Sequence, residues 1–369
     1  SILNNPDTFF GNTNTDWQKE VTNKNALWND YRFGFNGGTQ DLNYLVSLGV
    51  SNQEGVIIGS KLNRYSLSTN LDANVSRTIK TGISLNYNYT VNKSSGIRGL
   101  QQSASFRPDV GVYDGNGQYT TVPAQGGTLG ANVFARNPVG GNGLATNSRI
   151  GQYLFGSIYG EIKIIEALNF KSQISISLGN DRTSNFLPSF ADDALSSNLI
   201  TAVLEKQRND SYATVFSNTL NYNKEFLGGH RLDAVVGISW DRNRNDLESQ
   251  TYAGFPDDFI LTNIGSAQRV NNFSSEAIEG ALNSVFGRFN YNYKDRYLAT
   301  FTARRDGSTK FGPNNKYGFF PSGALAWNIH NEDFFDSSTI NQLKIRTSLG
   351  RTGNDNLASF TYLAYMSSL

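Results

Sequence analysis

The sequence predicts an all-β fold, a transmembrane antiparallel β-barrel of which about a dozen strands are present. Three observations lead to this prediction. Apolar and polar residues alternate over stretches longer than the ~5–6 residues of an ordinary strand, and the connections between these stretches are alternately short and long. Aromatic residues make up 12% of the chain and accompany 36 glycines, whereas stretches of helix-forming residues are scarce.

The composition narrows the class of protein. The chain has 369 residues, of which 38% are hydrophobic, and its mean hydropathy is −0.42. No apolar run approaches the ~18 residues of a transmembrane helix, but barrel strands escape this test because only half of their residues are apolar. The 32 basic residues balance the 31 acidic ones, so the net charge is too small to create the positive electrostatic potential that attracts nucleic acid. The absence of cysteine excludes disulfides and thiolate metal sites.

The clearest alternation forms a hairpin between residues 63 and 91. In its first strand Tyr65 and Leu67 alternate with polar residues, and in its second strand Ile83 and Tyr87 do the same. A period of two places the apolar side chains on one face of the sheet and the polar ones on the other. Each strand is at least as long as the ~9–11 tilted residues that cross a bilayer, so the hairpin is predicted to span the membrane as part of a barrel wall.

The same alternation assigns the other strands. In 168–180 and 230–244, apolar residues at even positions oppose polar residues at odd positions. The first half of the stretch 201–225 also fits a loop. The predicted strands lie near 26–36, 41–51, 61–76, 79–92, 151–165, 168–180, 201–225, 230–244, 284–294, 296–306, 318–328 and 342–350.

The connections predict the domain organisation and the sidedness of the barrel. Short connections alternate with longer ones, and 330–341 is a connection of middling length in a short-side position. Long structureless loops argue against a compact soluble domain, whereas outer-membrane barrels have short periplasmic turns and long extracellular loops. We therefore predict a lead-in over 1–25 from an absent plug region and a partial barrel over 26–369, with long extracellular loops near 93–150, 181–200, 245–283 and 307–317.

Aromatic residues crowd one of the short turns. Tyr291, Tyr293 and Tyr297 flank the turn at 294–296, and Phe319 with Phe320 open the next strand. Tyrosine and tryptophan rings favour the headgroup level of a bilayer, which predicts an aromatic girdle. The alternative is cross-strand aromatic pairing in the core of a β-sandwich.

Catalytic and metal-binding patterns find little support, so we predict that the chain is not an enzyme and carries no cofactor. His230 and His330 both lie at short-side connections, and no cysteine or serine motif accompanies them. The run Asp114–Gly117 begins like a calcium loop but lacks the glycine and the glutamate that an EF-hand requires. The pairs Asp192–Asp193 and Asp257–Asp258 lie in presumed loops, where they fit either calcium ligands or solvated acids.

Substrate contacts are expected from the aromatic rings and amides of the long loops, because rings stack on sugar faces and amides bond to hydroxyl groups. Adjacent Arg304 and Arg305 must point to opposite faces of their strand. They fit either a substrate contact in the lumen or a structural pair at the rim, and we favour the rim. The candidate substrate-binding residues are Tyr113, Tyr119, Phe134, Asn137, Tyr252 and Phe255.

An ordered set of motifs spans nearly the whole chain. It comprises Asn14-Thr15-Asp16-Trp17-Gln18, Gly37-Gly38, Tyr44-Leu45-Val46-Ser47, Gln53-Glu54-Gly55, Asn70-Leu71-Asp72, Asn290-Tyr291-Asn292-Tyr293-Lys294-Asp295-Arg296-Tyr297-Leu298, Arg304-Arg305-Asp306-Gly307-Ser308-Thr309-Lys310-Phe311-Gly312-Pro313-Asn314, Pro321-Ser322, Trp327 and Gly350-Arg351-Thr352-Gly353-Asn354. This set resembles the SusC/RagA-like family of TonB-dependent outer-membrane transporters.

The resemblance implies a barrel of roughly 22 strands with a plugged lumen. It implies import of a bulky nutrient, an oligosaccharide or a peptide, driven by the TonB-ExbB-ExbD complex through a segment that this chain lacks. A SusD-like surface lipoprotein is the implied partner, outer-membrane lipid the implied surroundings, and the bacterial outer membrane the implied location. The motifs of the plug and of the TonB box are not found in the chain, and a dozen strands are too few to close such a barrel, so the chain is predicted to be a barrel fragment.

The competing interpretation is a soluble or surface-attached β-sandwich that acts as a lectin or an adhesin. A wet lumen tolerates Lys171, Arg231, Asp233, Arg288 and Lys344 on the inward side. A sandwich also places such charges opposite its apolar core residues, so the alternation alone does not separate the two folds.

Overall fold

The computed structural model describes residues 13–95, 103–104, 106–117, 119–120, 137–140, 146–188, 202–257 and 260–357. Within them a single sheet of twelve strands, β1 to β12, forms with the strands side by side in chain order. A four-residue helix, α1 (Trp17–Glu20), precedes the sheet. Among the described residues, no helix is long and apolar enough to cross a membrane.

The twelve predicted strands are all present, and every neighbouring pair is antiparallel. Most of their ends lie within a few residues of the predicted ones. The strands are β1 (Trp28–Gly38), β2 (Leu42–Glu54), β3 (Lys61–Asn74), β4 (Ile79–Ser95), β5 (Thr146–Ile165), β6 (Leu168–Leu187), β7 (Val203–Phe226), β8 (His230–Ala253), β9 (Arg269–Tyr293), β10 (Tyr297–Ser308), β11 (Tyr317–Asn328) and β12 (Lys344–Gly350).

The largest difference from the prediction concerns β8 and β9, which have 24 and 25 residues. The prediction of a loop over 245–283 is wrong for 245–253 and 269–283, which belong to these two strands, and only 254–268 connects them. In the β8 extension, charged and polar residues take most of the positions that apolar residues hold lower in the strand, and in the β9 extension apolar and polar residues occur on both faces. A hydropathy pattern therefore does not reveal the pairing of the two extensions. Cross-strand ion pairs such as that of Arg244 with Glu279 contribute to this pairing.

The other predicted loops are corrected less. β6 continues to Leu187, so 181–187 is strand rather than loop. β4 and β5 extend slightly into 93–150 from either side, and much of what remains of that loop lies outside the described residues. The predicted loop 307–317 corresponds to the short connection between β10 and β11.

The register separates the two faces of the sheet. Large apolar and aromatic residues of seven successive strands are directly paired in one row, which runs through Phe33, Leu48, Leu67, Tyr87, Leu154, Leu178 and Tyr212. We call the face that carries this row the outward face and the opposite one the inward face, because apolar side chains of a transmembrane barrel point to the lipid.

Over most of the outward face, the apolar residues are covered by nothing else in the described structure. The exception is the cluster of Phe186, Leu204 and Phe255 at the long-connection edge. Phe33 is 59% exposed, Ile83 46% and Phe301 52%. A β-sandwich would bury such a face against a second sheet, but all twelve strands belong to one sheet. The sandwich interpretation is therefore wrong, and lipid is the surroundings that this face requires.

Aromatic rings form a continuous ladder on the outward face at the short-connection edge. His230 stacks near Tyr293 with ring centroids 4.5 Å apart, and the ladder continues through Tyr297 to Trp327 at 6.3 Å per step. Phe319 shares the outward face with Arg305, whereas Phe320 pairs with Arg304 and lies inward. The girdle at the short-connection edge thus includes the predicted tyrosines but neither phenylalanine, because both open β11 at its long-connection end and the period of two also turns Phe320 inward.

A second aromatic level lies farther up the outward face, where Phe216 stacks on Trp240 with centroids 5.6 Å apart. On β8, the outward residues from Leu232 to Trp240 lie between the two aromatic levels. At about 3.4 Å per residue and a tilt of about 40°, this stretch spans roughly 20–25 Å, the height of the apolar band of a transmembrane barrel.

Candidate functional site

The inward face forms a polar wall. Five charged residues lie on this face. The strand pairing shows this, because the direct partners of each residue point away from the apolar row: Lys171, Arg231, Asp233, Arg288 and Lys344. Their common placement agrees with the prediction of charged residues on the wet side of a large lumen.

Hydrogen bonds between neighbouring strands order the side chains of this wall. The Asn290 amide donates to Asp233 (Nδ2–Oδ1 2.9 Å) and its carbonyl accepts from Thr300 (Oγ1–Oδ1 2.9 Å). Farther along the sheet, the Tyr159 hydroxyl donates to Asp72 over 2.6 Å, and the ammonium of Lys171 lies 4.3 Å from the centre of the Tyr159 ring. The wall therefore offers fixed amides, hydroxyls and charges along the lumen.

The adjacent arginines of β10 point to opposite faces, as predicted. Inward Arg304 donates to Asp306 (Nε–Oδ1 2.6 Å) and to the buried hydroxyl of Ser284 (Nη2–Oγ 2.7 Å). Outward Arg305 lies 4.5 Å from the centre of the Tyr317 ring. The contacts of Arg304 are therefore with other residues of the inward face, and the contact of Arg305 is at the rim of the sheet.

Residues 13–25 pack at the long-connection edge of the sheet. Val21 is fully buried, and its carbonyl accepts a hydrogen bond from the amide of Ile58 over 3.0 Å. Trp17 packs edge-on against Phe106 with ring centroids 4.6 Å apart and donates to the carbonyl of Arg107 over 2.8 Å. The sequence pattern did not reveal this attachment, because an isolated tryptophan in a polar stretch has no periodicity. The origin of 1–25 in a plug region stays a prediction.

The segment that Trp17 holds contains an ion pair. The guanidinium of Arg107 donates to both carboxylate oxygens of Asp109, and this hydrogen bonding holds the pKa of the carboxyl below its ordinary value. Thr15 binds the same segment through its hydroxyl, which donates to the carbonyl of Val110 over 2.7 Å.

Three of the predicted substrate-binding residues meet in this long connection. The rings of Tyr113 and Tyr119 stack with centroids 5.2 Å apart, and Tyr113 is 56% exposed. Burial raises the pKa of the Tyr119 hydroxyl. Asn137 lies beneath them and is only 2% exposed. Its amide donates to the Val112 carbonyl over 2.7 Å, and its own carbonyl accepts from two backbone amides. Asn137 thus holds the tyrosine pair in place.

The predicted residues Tyr252 and Phe255 lie elsewhere. Phe255 is 9% exposed and packs edge-on against Phe186 with centroids 5.4 Å apart. Tyr252 packs against the same cluster and is paired with Leu204, on the outward face near the long-connection edge. These contacts give the two rings a packing role at the top of β6, β7 and β8. The remaining candidate, Phe134, lies outside the described residues.

Neither histidine belongs to a polar cluster. His230 shares a hydrogen bond with the Tyr291 hydroxyl (Nδ1–O 2.6 Å), and His330 bonds to the backbone carbonyl of Leu343 (Nδ1–O 2.9 Å). The described part of the chain has no group of three or more His, Asp or Glu residues placed to hold a metal ion. Asp192 and Asp193 lie outside the described residues, as does Asp258.

Comparison with curated proteins gives consistent relatives. The chain is 33% identical over 374 residues to TonB-dependent receptor P3 of Formosa agariphila, which covers 97% of the chain. It is 28% identical over 385 residues to TonB-dependent receptor SusC of Bacteroides thetaiotaomicron, which covers 96%. The chain belongs to the SusC/RagA-like family of TonB-dependent outer-membrane transporters. It spans 36% of the length of each of these relatives. No family model matches the sequence.

Solved structures agree on the fold of this SusC/RagA-like chain. The RagAB peptide transporter superimposes with a TM-score of 0.78 at 22% identity, covering 99% of the chain and 43% of the transporter chain. The RagAB peptide importer in its open-open state gives a TM-score of 0.79 at the same identity, covering 96% of the chain and 39% of the other. The sheet is therefore part of a transporter-type β-barrel in the outer membrane.

The sidedness of these features stays a prediction. Because long connections of outer-membrane barrels are extracellular, we expect α1, the Tyr113–Tyr119 pair and the Phe186 cluster on the cell-surface side. The aromatic ladder that ends at Trp327 is expected on the periplasmic side.

Proposed function

We propose that the chain forms part of the wall of a transporter that imports a bulky nutrient across the outer membrane. The nutrient is of the oligosaccharide or peptide class, and import depends on TonB and on a SusD-like surface lipoprotein. The chain contributes the polar surface along which the nutrient passes, and it changes no bond in that nutrient.

The observation that carries this proposal is the division of one large sheet into two chemically different faces. The outward face presents exposed rings and aliphatic side chains, whereas the inward face carries the hydrogen-bonded network around Asp233, Asn290 and Thr300. A wall with these properties passes a polar solute and excludes lipid. The relatives named TonB-dependent receptors support the energy coupling.

The peptide and oligosaccharide classes have separate support. RagAB, which shares the fold, is described as a peptide transporter. The exposed, stacked rings of Tyr113 and Tyr119 offer a flat aromatic surface on the extracellular side, which suits a sugar face or a side chain of a peptide. Asn137 acts as a positioning residue for this pair.

A deletion of the complete gene tests the proposal in the native bacterium. We expect growth to stop on one or a few defined oligosaccharides or peptides and to continue on monosaccharides and amino acids. The complete gene should restore growth. Unchanged growth of the deletion strain on every bulky nutrient would contradict the proposed import.

Complementation with variants tests the tyrosine pair. The double variant Tyr113→Ala/Tyr119→Ala should lower uptake at limiting nutrient by about fivefold, because it removes the stacking surface. Tyr44→Ala is the matched control, since Tyr44 lies on the outward face and is 43% exposed. Equal uptake by the two variants would exclude the pair as a contact site while leaving the transport function intact.

The partner is tested by affinity purification of the tagged complete transporter from outer membranes in mild detergent. A SusD-like lipoprotein should copurify in a fixed ratio and should be lost from membranes of a strain that lacks its gene. Purification of the transporter alone under conditions that preserve other outer-membrane complexes would contradict this part of the proposal.

A further inference from the structure

Two aromatic rings stand next to each other on the mostly polar inward face. Tyr153 and Phe155 take successive inward positions near the middle of β5 and are 37% and 49% exposed. At about 3.4 Å per residue, their Cα atoms are roughly 7 Å apart. Phe155 makes no ring contact with another described residue, so its flat apolar surface is open to the lumen.

Tyr153 is held flat against the sheet. A Cβ added to Gly151 would lie 2.8 Å from Cε2 of its ring, and one added to Gly179 would lie 3.5 Å from Cδ1, so the ring covers bare backbone at both positions. Its hydroxyl donates to Asp181 (O–Oδ1 2.6 Å), which also accepts from Arg149 (Nε–Oδ1 2.9 Å). Because the hydroxyl and one ring face are engaged in this way, the other ring face is turned to the lumen.

Amides and hydroxyls flank the two rings on the neighbouring strands, about 4.8 Å to either side. From β4, Asn88 pairs with Tyr153 and Asn86 pairs with Phe155. From β6, Ser177 pairs with Phe155. Within the described structure, the side chains of Asn88 and Ser177 make no hydrogen bond. Their donors and acceptors are therefore available to a ligand that lies on the rings.

The wall around the rings is uncharged. Three successive inward rows, from that of Tyr153 to that of Ser157, contain no charged residue on any of the described strands β3 to β7. On these strands, Arg64 and Asp181 lie in the next row beyond Tyr153, and Asp72 lies in the next row beyond Ser157. We call these three rows the uncharged patch.

We propose that the uncharged patch binds a neutral oligosaccharide as it passes through the lumen. This inference rests on the proposed import function and narrows the class of nutrient. The C–H face of a sugar stacks on an aromatic ring, and the spacing of Tyr153 and Phe155 lets neighbouring units of one sugar chain meet the two rings. Sugar hydroxyls donate and accept hydrogen bonds, which matches the amides and hydroxyls of β4 and β6. A peptide with charged ends, or a glycan with carboxylate or sulfate groups, would find no counter-charge within the patch.

Growth of the deletion strain tests the class of ligand. The panel contains neutral linear hexasaccharides of glucose, mannose or xylose, together with hexagalacturonate and a hexapeptide with free ends. Loss of growth should be confined to neutral hexasaccharides. Loss confined to hexagalacturonate or to the hexapeptide would overturn this inference and leave the import function intact. Undiminished growth on the whole panel would overturn it as well, and would contradict import itself only if it extended to every bulky nutrient.

Calorimetry on the complete transporter in detergent tests the rings, with the neutral hexasaccharide on which growth depends as the probe. Phe155→Leu should weaken binding about fivefold, because it keeps apolar volume but removes the flat ring, whereas Phe155→Tyr should bind like wild type. The matched control Phe301→Leu makes the same change at an exposed ring of the outward face and should leave the affinity unchanged. Equal affinities of Phe155→Leu and wild type would overturn the proposal.

A contact of Phe155 with the plug of the complete barrel would give a different result. Phe155→Leu would then loosen the plug and raise the entry of vancomycin into cells, while the affinity for the hexasaccharide stayed at the wild-type value. That combination would overturn the proposal. We expect the reverse, weaker binding of the hexasaccharide with unchanged vancomycin sensitivity, and heat-modified mobility on gels checks that the variant folds.

Discussion

At the scale of single residues, Trp17 connects two parts of the chain that lie 90 residues apart. It is 3% exposed, packs against Phe106 and donates to the Arg107 carbonyl. Trp17→Ala should destabilise the attachment of the 106–110 segment by about 3–5 kcal/mol, the usual cost of removing a buried large ring. Hydrogen exchange should therefore rise in that segment and stay unchanged in the middle of β7 and β8.

Trp28 provides the control for this change. It is a tryptophan of the same region but is 70% exposed, so Trp28→Ala should leave exchange in the 106–110 segment at the wild-type rate. If both variants accelerated exchange there equally, the packing of Trp17 would not be the cause.

The Arg107–Asp109 pair makes the same segment sensitive to acid. The pKa of Asp109 is lowered because Arg107 donates hydrogen bonds to its carboxylate, against an ordinary value of 3.8. A depressed pKa in the folded state means that the pair stabilises the segment above the ordinary value and stops doing so as the pH falls through the depressed one. Protection of 106–110, corrected for intrinsic exchange, should be constant from pH 7 to pH 5 and fall below pH 4.

Asp109→Asn separates this titration from a general acid effect. The variant should show weaker protection at pH 6 and no further loss from this site below pH 4. A loss in the variant as steep as in wild type would show that another group titrates.

Residue types alone do not separate candidate substrate contacts from residues that hold a loop together. Tyr113 is exposed, whereas Asn137 uses both ends of its amide on the backbone and Phe255 is buried against Phe186. A sequence shows that a loop contains rings and amides. It does not show whether they point to solvent or hold the loop, because this depends on contacts with distant segments.

At the scale of the elements, period two predicted the strands well because register and lipid exposure both require it. It failed in 245–253, where charged and polar residues take most outward positions, and in 269–283, where apolar residues such as Phe273 and Ile278 lie on opposite faces. There the ladder is held by Arg244, which binds Asp246 (Nε–Oδ2 2.8 Å) and Glu279 (Nη1–Oε1 2.7 Å).

The β7–β8 hairpin depends on its glycine turn. Gly228 and Gly229 have φ values of 88° and 82°, and a Cβ added to Gly229 would lie 2.8 Å from Cγ of Lys294 in the neighbouring turn. Gly229→Ala should cost about 1–2 kcal/mol from the backbone conformation alone and more from the contact. We expect a lower midpoint of unfolding in urea for the complete transporter in lipid vesicles.

Gly34→Ala is the matched control for the turn. Gly34 lies in β1, and a Cβ added there would meet no atom within 4 Å. Its unfolding midpoint should stay near that of wild type. Equal shifts for both variants would mean that any added methyl group on the sheet perturbs folding, and that the turn has no special role.

At the scale of the whole molecule, the sheet has two open sides within the described residues, since β1 pairs only with β2 and β12 only with β11. Unpaired backbone groups in the bilayer cost several kcal/mol each, so both edge strands need partners in the complete barrel. The share of 36% that the chain covers in its curated relatives is consistent with this requirement. Within the sheet, the two faces then decide what each position tolerates.

A charge introduced on each face tests this division directly. Val236 lies on the outward face of β8 between the two aromatic levels and is 49% exposed, whereas Ser177 lies on the inward face of β6. Val236→Arg should destabilise the complete transporter in lipid vesicles by about 2–4 kcal/mol, because the guanidinium meets hydrocarbon. Ser177→Arg should change the stability little, because it enters a wet lumen. Reversible urea unfolding measures both, and a larger loss for Ser177→Arg would reverse the assignment of the faces on which the transport proposal depends.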